Sequence, residues 1–414
     1  MTMSIVHFST ADGEGGSARS AHRIHSHLRR RGHRSRMLVK YQVLEDADID
    51  TVSGGRFLGF ADRLAEGITR RVGLQYQFVP SSRRVLRHPW LDKPDIIQLY
   101  NTHGGYFTQR LLPRLSSRAP VVWRLSDMWP MTGHCAYAGT CARWQTGCGR
   151  CPDLVTYPAI GLDTTALLWR QKRHIYRKTR LTVVAPSSWI EGVANKSPLF
   201  AGAAVHRIPN GIDLAVFRPL DRDAAREFLG VPKDRKVVLF APHVASQNPR
   251  KGTDLLETAL RRLGPRDDIV LLLAGVGGQQ WIGKVPQPVI ALGYLRDDRL
   301  IAMANAAADC VVVPSSVENL PNGVIEAFAC GRPVVAFDAG GIKDAVRSGE
   351  TGILVPMGDA GALGDAIDRL LSDEALRTRC GQGALEWARR ECSAELETTR
   401  FEKLYAELVE RRGA

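Results

Sequence analysis

Short apolar runs recur through the second half of the 414-residue chain, with a helix-length segment in most of the gaps between them. Residues 237–242, 269–274, 289–292, 310–314, 333–337 and 352–355 read as strands. Residues 252–263, 297–308, 322–330 and 360–371 carry helix patterns. Nearly continuous apolar strands, bounded by Gly, Pro and Ser and alternating with helices, are what a parallel sheet covered on both faces requires. The first half repeats the pattern less cleanly. Residues 4–9, 36–40, 95–101, 121–127 and 181–187 read as strands, and a helix over 18–31 follows the loop 11–17. The chain therefore reads as α/β with two doubly wound halves. Pro209, Asn210 and Gly211 punctuate the break and set domains at 1–205 and 206–391. Residues 373–412 read as two polar helices, and residues 41–94 resist assignment.

Composition narrows the classes. With 44% hydrophobic and 24% charged residues and no long polar tract, the chain is neither disordered nor fibrous overall. No apolar stretch approaches the roughly 18 residues of a membrane span. The N-terminus lacks a basic segment before an apolar core, so it reads as a buried strand and not as a secretory leader; the expected setting is a reducing cytoplasm. Charge is uneven: residues 1–180 hold 28 Lys and Arg against 13 Asp and Glu, and the remainder holds 28 against 30. Arg29, Arg30, Arg31, Arg34 and Arg36 form one cluster, and Arg70, Arg71, Arg83, Arg84 and Arg87 another. Such a half attracts anions, and an anionic membrane surface is one partner it suits. A plain solvated basic surface is the alternative. No nucleic-acid module is readable, so nucleic acid is not an expected partner.

The strongest local signal is Glu318 and Glu326, eight positions apart. A buried run ends at Pro314, a loop follows, and a helix starts near Asn322. Ligands of doubly wound sheets lie beyond the carboxyl ends of the strands. Loop N–H groups and a helix N-terminus there attract phosphate. A carboxylate at that edge accepts hydrogen bonds from the vicinal hydroxyls of a ribose or hexose. Arg250 and Lys251 stand before another helix and offer positive charge to an anionic leaving group. No Asp-x-Asp metal motif stands at a suitable position.

These residues carry a resemblance. Glu318 and Glu326 with Gly331 and Pro333 downstream, Pro209 to Asp213 with Phe217 and Pro219, Lys251-Gly252, and the Gly15-Gly16 loop together resemble the retaining glycosyltransferases of family 4. The resemblance implies the GT-B fold: two Rossmann-like domains facing across a cleft, with residues 392–414 packing back on the first. It implies a UDP- or GDP-sugar donor on the second domain. Glu326 would hold the ribose hydroxyls. Glu318 and the backbone of Asn319, Leu320, Pro321 and Asn322 would hold the sugar and distal phosphate, and Leu295 would lie against the base. Lys251 would clamp the diphosphate. The family's second cation sits six residues earlier, where this chain has Ala245, so Arg250 is assigned that role. The implied chemistry is front-face substitution with retention, without a catalytic metal.

Gly15 and Gly16 alone are a weak dinucleotide fingerprint, and Lys40 stands where an NAD site wants an acid, which argues against a dehydrogenase. In the family reading these glycines let backbone approach acceptor and donor. Relatives often carry His-Asp where this chain has Ser126-Asp127. Asp127 is the candidate for binding sugar or acceptor hydroxyls and steadying an oxocarbenium; a loop cap is its plainer role. His134 could replace the missing His by proximity, and His103 could line the acceptor side. Cys135, Cys141, Cys148 and Cys151 fall within 17 residues and suit a structural zinc, with disulfides or free thiols as alternatives. Cys310, Cys330, Cys380 and Cys392 are scattered. The catalytic set is thus Asp127, Arg250, Lys251 and Glu318. The acceptor is a hydroxyl, lipid-linked in polysaccharide or glycolipid assembly, which would hold the protein peripherally at the inner membrane face. A nucleotide-sugar epimerase and a non-catalytic nucleotide-sugar-binding protein are the competing readings.

Overall fold

The structure is a computed structural model that describes residues 2–242 and 249–413. It divides into two compact units, Met1–Pro209 with Glu397–Ala414, and Asn210–Leu396.

The first unit is built on a seven-stranded parallel sheet. Its strands are β1 (Ser4–Ala11), β2 (Arg34–Tyr41), β3 (Ile49–Thr51), β4 (Ile96–Leu99), β5 (Val121–Arg124), β6 (Leu181–Ala185) and β7 (Ala204–Arg207), in the order β3-β2-β1-β4-β5-β6-β7. β4 and β5 are buried along their whole length, as their apolar runs require. Helix α1 (Gly16–Arg30) turns Ala21, Ile24 and Leu28 onto β1 and β2. The C-terminal helix Ala394–Gly413 adds Phe401, Leu404 and Tyr405 to that same cluster, beside Ile5, Ile96 and Tyr100. Tyr405 O–H donates to Gln98 Oε1 at 3.0 Å, which anchors the helix to β4. The tail is therefore less polar than its sequence suggests. The unassigned stretch holds β3 and a helix, α2 (Arg56–Arg71). β3 and β7 are short edge strands without an apolar run, so no periodicity announced them. A further helix, α3 (Thr165–Tyr176), leads into β6.

The second unit has a six-stranded parallel sheet. Its strands are β8 (Lys236–Phe240), β9 (Ile269–Ala274), β10 (Val289–Gly293), β11 (Cys310–Val313), β12 (Val334–Phe337) and β13 (Gly352–Val355), ordered β10-β9-β8-β11-β12-β13. These bounds match the sequence reading to within two residues. Helix α4 (Asn322–Ala329) buries Val324, Ile325 and Phe328 against the sheet. Asp309, just before β11, accepts from Arg226 at 2.9 Å and from the Val237 N–H at 2.7 Å. Through the Val237 N–H, Asp309 ties the starts of the two central strands together. In each sheet the strand order reverses at the centre, between β1 and β4 and between β8 and β11, where doubly wound sheets open a crevice for ligands. Ala245 and Asn248 follow β8 and lie outside the described residues.

Candidate active site

β11 ends at Val313, and the chain runs through a loop to α4. Glu318 lies in that loop, buried, and Glu326 lies one turn into α4, also buried. The 3-10 turn Pro249–Lys251 comes alongside: Ser316 N–H donates to Arg250 O at 2.9 Å, and Arg250 Nη1 donates to Val317 O at 2.8 Å. Arg250 Nη1 and Lys251 Nζ both reach Glu318 Oε1 at 2.7 Å. Burial pushes the Glu318 carboxyl up, but the charges of Lys251 and Arg250 outweigh it and hold the group below its ordinary range. Gly252 closes the turn with φ +66°; a Cβ there would lie 1.7 Å from Pro314 O, so only glycine lets the cation turn meet the β11 loop. Asn210 Nδ2 donates to Leu320 O at 2.9 Å and fixes the loop from below α4. Arg250, Lys251 and Glu318 are thus assembled at one sheet edge, and the helix carrying Glu326 starts where their loop ends. Leu295 packs its side chain on the core after β10, leaving its backbone at the strand end.

In the first unit the loop after β1 passes Gly15, whose φ of +87° and ψ of 153° only glycine adopts readily, and α1 begins at Gly16. Ser17 and Ser126 hydroxyls meet at 2.8 Å and join this loop to the end of β5. Asp127 caps its own loop and also meets an imidazole. Its Oδ1 accepts from the Trp129 N–H at 2.9 Å, and its Oδ2 lies 2.9 Å from His103 Nε2. The imidazole at Asp127 is therefore His103. His134 sits elsewhere, its ring nitrogens 3.0 Å from Pro158 O and 2.9 Å from Asp153 O. Tyr157 was not visible in the sequence as a site residue; its hydroxyl lies 3.2 Å from His103 Nδ1. Gln75 is another: it accepts from Trp129 Nε1 and donates to Pro158 O, bracing both sides of the pair. No spacing pattern links these residues, so no sequence signal was available. Lys40 Nζ pairs with Glu66 of α2 at 3.1 Å and also donates to Gly104 O, next to His103.

Cys135, Cys141, Cys148 and Cys151 line one small pocket together with His134. Among the described residues no group of three or more His, Cys, Asp or Glu stands in a metal-holding arrangement. Two of the thiols have protein hydrogen-bond partners. Cys148 Sγ accepts from Gly133 N–H at 3.2 Å, and Cys151 Sγ donates to Asp153 O at 3.1 Å. Burial pushes the Cys135 thiol up to about 12 and raises Cys148 and Cys151 as well. The loop has packing of its own: Trp144 is buried, Trp169 Nε1 donates to its carbonyl at 2.9 Å, and buried Lys172 donates to Trp129 O and Thr132 O.

Comparison with known proteins agrees with this architecture. Residues 14–216 match the family model described as Glycosyltransferase Family 4, and residues 221–387 match Glycosyl transferases group 1. The D-inositol 3-phosphate glycosyltransferase 1 of Catenulispora acidiphila is 38% identical over 200 residues, covering 44% of this chain and 47% of the relative. The putative colanic acid biosynthesis glycosyl transferase WcaC of Escherichia coli is 29% identical over 231 residues, 55% and 54% of the two chains. The chain spans about half the length of the curated relatives it matches. The crystal structure of Anabaena HepE in complex with UDP and glucose superposes with a TM-score of 0.67 at 20% identity, over 98% of this chain and 100% of that one. Two parallel-sheet Rossmann-like units of this kind are the GT-B fold, and the chain belongs to the family 4 glycosyltransferases.

Proposed function

We propose that the protein transfers a sugar from a nucleotide-sugar, UDP-linked as in the HepE complex, to a hydroxyl acceptor with retention of anomeric configuration. The observation that carries this reading is the meeting of Arg250 and Lys251 on Glu318 Oε1 beside the start of α4. Two fixed cations at that edge suit the charge that grows on a departing diphosphate, the role a divalent ion would otherwise fill, so the reaction is proposed to be metal-independent. Glu326 is assigned to the ribose hydroxyls. Glu318 and the backbone from Asn319 through Leu320 and Pro321 to Asn322 are assigned to the sugar and distal phosphate, with Leu295 against the base. Gly15 and Gly16 leave room for substrate at the first sheet's edge. Asp127, oriented by His103, is assigned to sugar or acceptor hydroxyls and to the developing oxocarbenium. The leaving phosphate takes the acceptor proton, so the protein's contribution is position and charge. The basic first unit and the resemblance to a colanic acid enzyme support a lipid-linked acceptor in polysaccharide or glycolipid assembly.

The test is release of UDP from a panel of UDP-sugars, with and without lipid-linked acceptors. One donor should turn over, EDTA should leave the rate unchanged, and Lys251→Ala and Glu326→Ala should each lower it by about a hundredfold or more. Donor binding with no turnover by any sugar would overturn transfer in favour of a binding protein. Interconversion of the sugar without transfer would favour an epimerase.

A further inference from the structure

Helix α2 is built inside out. The face it turns into the first unit carries Asp62, Ala65 and Thr69, all buried. Its large apolar residues point to solvent: Phe57 is 83% exposed, Phe60 60%, Leu64 57% and Ile68 54%. They recur every three or four residues and so form one stripe. Val72 and Leu162 extend it past the helix end, both exposed. The segment bearing Leu162 is held there by Gly161 N–H on Arg70 O and by the Thr164 hydroxyl on Gly73 O. A contiguous stripe of this size is costly in water and marks a surface that something covers.

The charges beside the stripe identify the cover. Arg63, Arg70 and Arg71 are exposed, and none forms an ion pair among the described residues. The helix's two acids are turned away: Asp62 accepts from the Ser81 N–H, and Glu66 pairs with Lys40. The outward side therefore presents aromatic and aliphatic side chains with an arginine rim and no negative charge. That is the composition of a helix lying in the interface of an anionic bilayer. No helix among the described residues is long and apolar enough to cross one.

We propose that α2, extended by Val72 and Leu162, docks this protein on an anionic lipid surface with Phe57, Phe60, Leu64 and Ile68 inserted among the acyl chains. This deepens the lipid-linked acceptor reading and names the element responsible. The inner side of the same helix reaches the acceptor-side residues, since Glu66 holds Lys40 and Lys40 holds the carbonyl beside His103. An acceptor hydroxyl presented at a bilayer would thus meet the protein near His103 and Asp127.

The test is co-sedimentation of the full chain with sucrose-loaded vesicles of phosphatidylcholine alone or mixed equally with phosphatidylglycerol. Binding should be at least about tenfold tighter to the anionic vesicles. The triple variant Phe57→Ser, Phe60→Ser, Leu64→Ser should lose about tenfold or more on them, with an unchanged circular dichroism spectrum. Reversing Arg63, Arg70 and Arg71 to Glu should abolish the preference for anionic lipid. In an otherwise native chain, Phe60→Trp should show a blue-shifted emission on anionic vesicles, which decides the matter even if the triple variant folds poorly. Absence of vesicle binding, or a triple variant that binds like the parent, overturns the proposal. So does a dimer, seen by light scattering, that the triple variant converts to monomer, because the cover would then be a second copy of the chain. Vesicle binding is read without sugar transfer, so its failure leaves the donor site standing, and a failed donor assay leaves the docking face standing.

Discussion

Lys251 Nζ donates to Glu318 Oε1 at 2.7 Å, and the same oxygen receives Arg250. A carboxylate thus occupies the two cations assigned to the donor's diphosphate. Without donor the carboxylate offsets one of the two positive charges and leaves the cluster with one. Removing the carboxyl charge while keeping the side chain's shape should free both cations for an anion. Glu318→Gln is expected to bind UDP about three- to tenfold more tightly, while transfer falls because the sugar loses a partner. Calorimetric titration of UDP into parent and variant measures this. Weaker UDP binding by the variant would mean that Glu318 orders the cation turn and does not compete for it.

Asp127 and His103 predict a different signature. Their atoms lie in the first unit, whereas the residues assigned to the diphosphate lie in the second. Asp127→Asn keeps an oxygen for the Trp129 N–H and should fold normally. It should lower kcat by about a hundredfold and leave the UDP dissociation constant within about twofold of the parent's. His103→Gln, which retains a donor toward Asp127, should fall between the two. A variant with normal kcat and weakened UDP binding would sink the acceptor-side assignment.

How legible each part was depended on where its residues lie along the chain. The second unit's strands are apolar on both faces, and its site is nearly continuous: Glu318, the loop and Glu326 are neighbours in sequence, and the cation turn comes with its own glycine. The first unit's site is stitched from Gln75, His103, Asp127 and Tyr157, with partners 24 to 83 positions apart, and no periodicity encodes such contacts. α2 escaped because it contains two glycines and its apolar stripe marks the solvent face, the reverse of what a core-facing pattern would show. In the tail, Phe401, Leu404 and Tyr405 make one inward stripe on a helix otherwise rich in Glu and Arg, and the charges dominated the reading.

Acid should weaken the first unit in particular. His7 Nε2 and His25 Nδ1 both reach Ser35 Oγ, at 2.8 and 2.9 Å, inside a fully buried network closed by the Tyr100 hydroxyl. Burial, then the charge of His22, lowers His25 to about 3; burial, then His25, lowers His7 as well. The unfolded chain therefore takes up protons below about 6.5 that the folded chain refuses. Stability is full above that value and is lost as pH falls from 6.5 toward 3. For His25 alone the loss at pH 4 is roughly 3 kcal/mol. Six of the eight tryptophans lie in the first unit, so urea unfolding followed by their fluorescence reports on it. The stability difference between parent and His25→Gln should narrow by that amount between pH 7 and pH 4. A difference independent of pH would show that the imidazole is charged in the fold.

The four-cysteine loop yields the last expectation. Zinc would require three or four thiolates around one point, and among the described residues no group of three or more His, Cys, Asp or Glu is placed to hold a metal ion. Protein groups already hold the loop: Lys172 on two carbonyls, Gly149 N–H on the Thr165 hydroxyl, Cys151 N–H on Asp163, and Trp144 against Trp169. A loop closed by these contacts should fold without metal. Exhaustive treatment with a chelator is expected to leave Tm within about 2 °C and to remove no stoichiometric zinc, since losing a folding metal would cost far more. Lys172→Met should instead destabilise the loop at pH 9, where the depressed amine (about 7) is neutral and serves only as a donor, by about 1–2 kcal/mol. At pH 6 the cost should shrink, because the parent must then bury a charge that the variant does not carry. One equivalent of zinc by elemental analysis, lost together with the fold on chelation, would show that the thiols close on a metal after all.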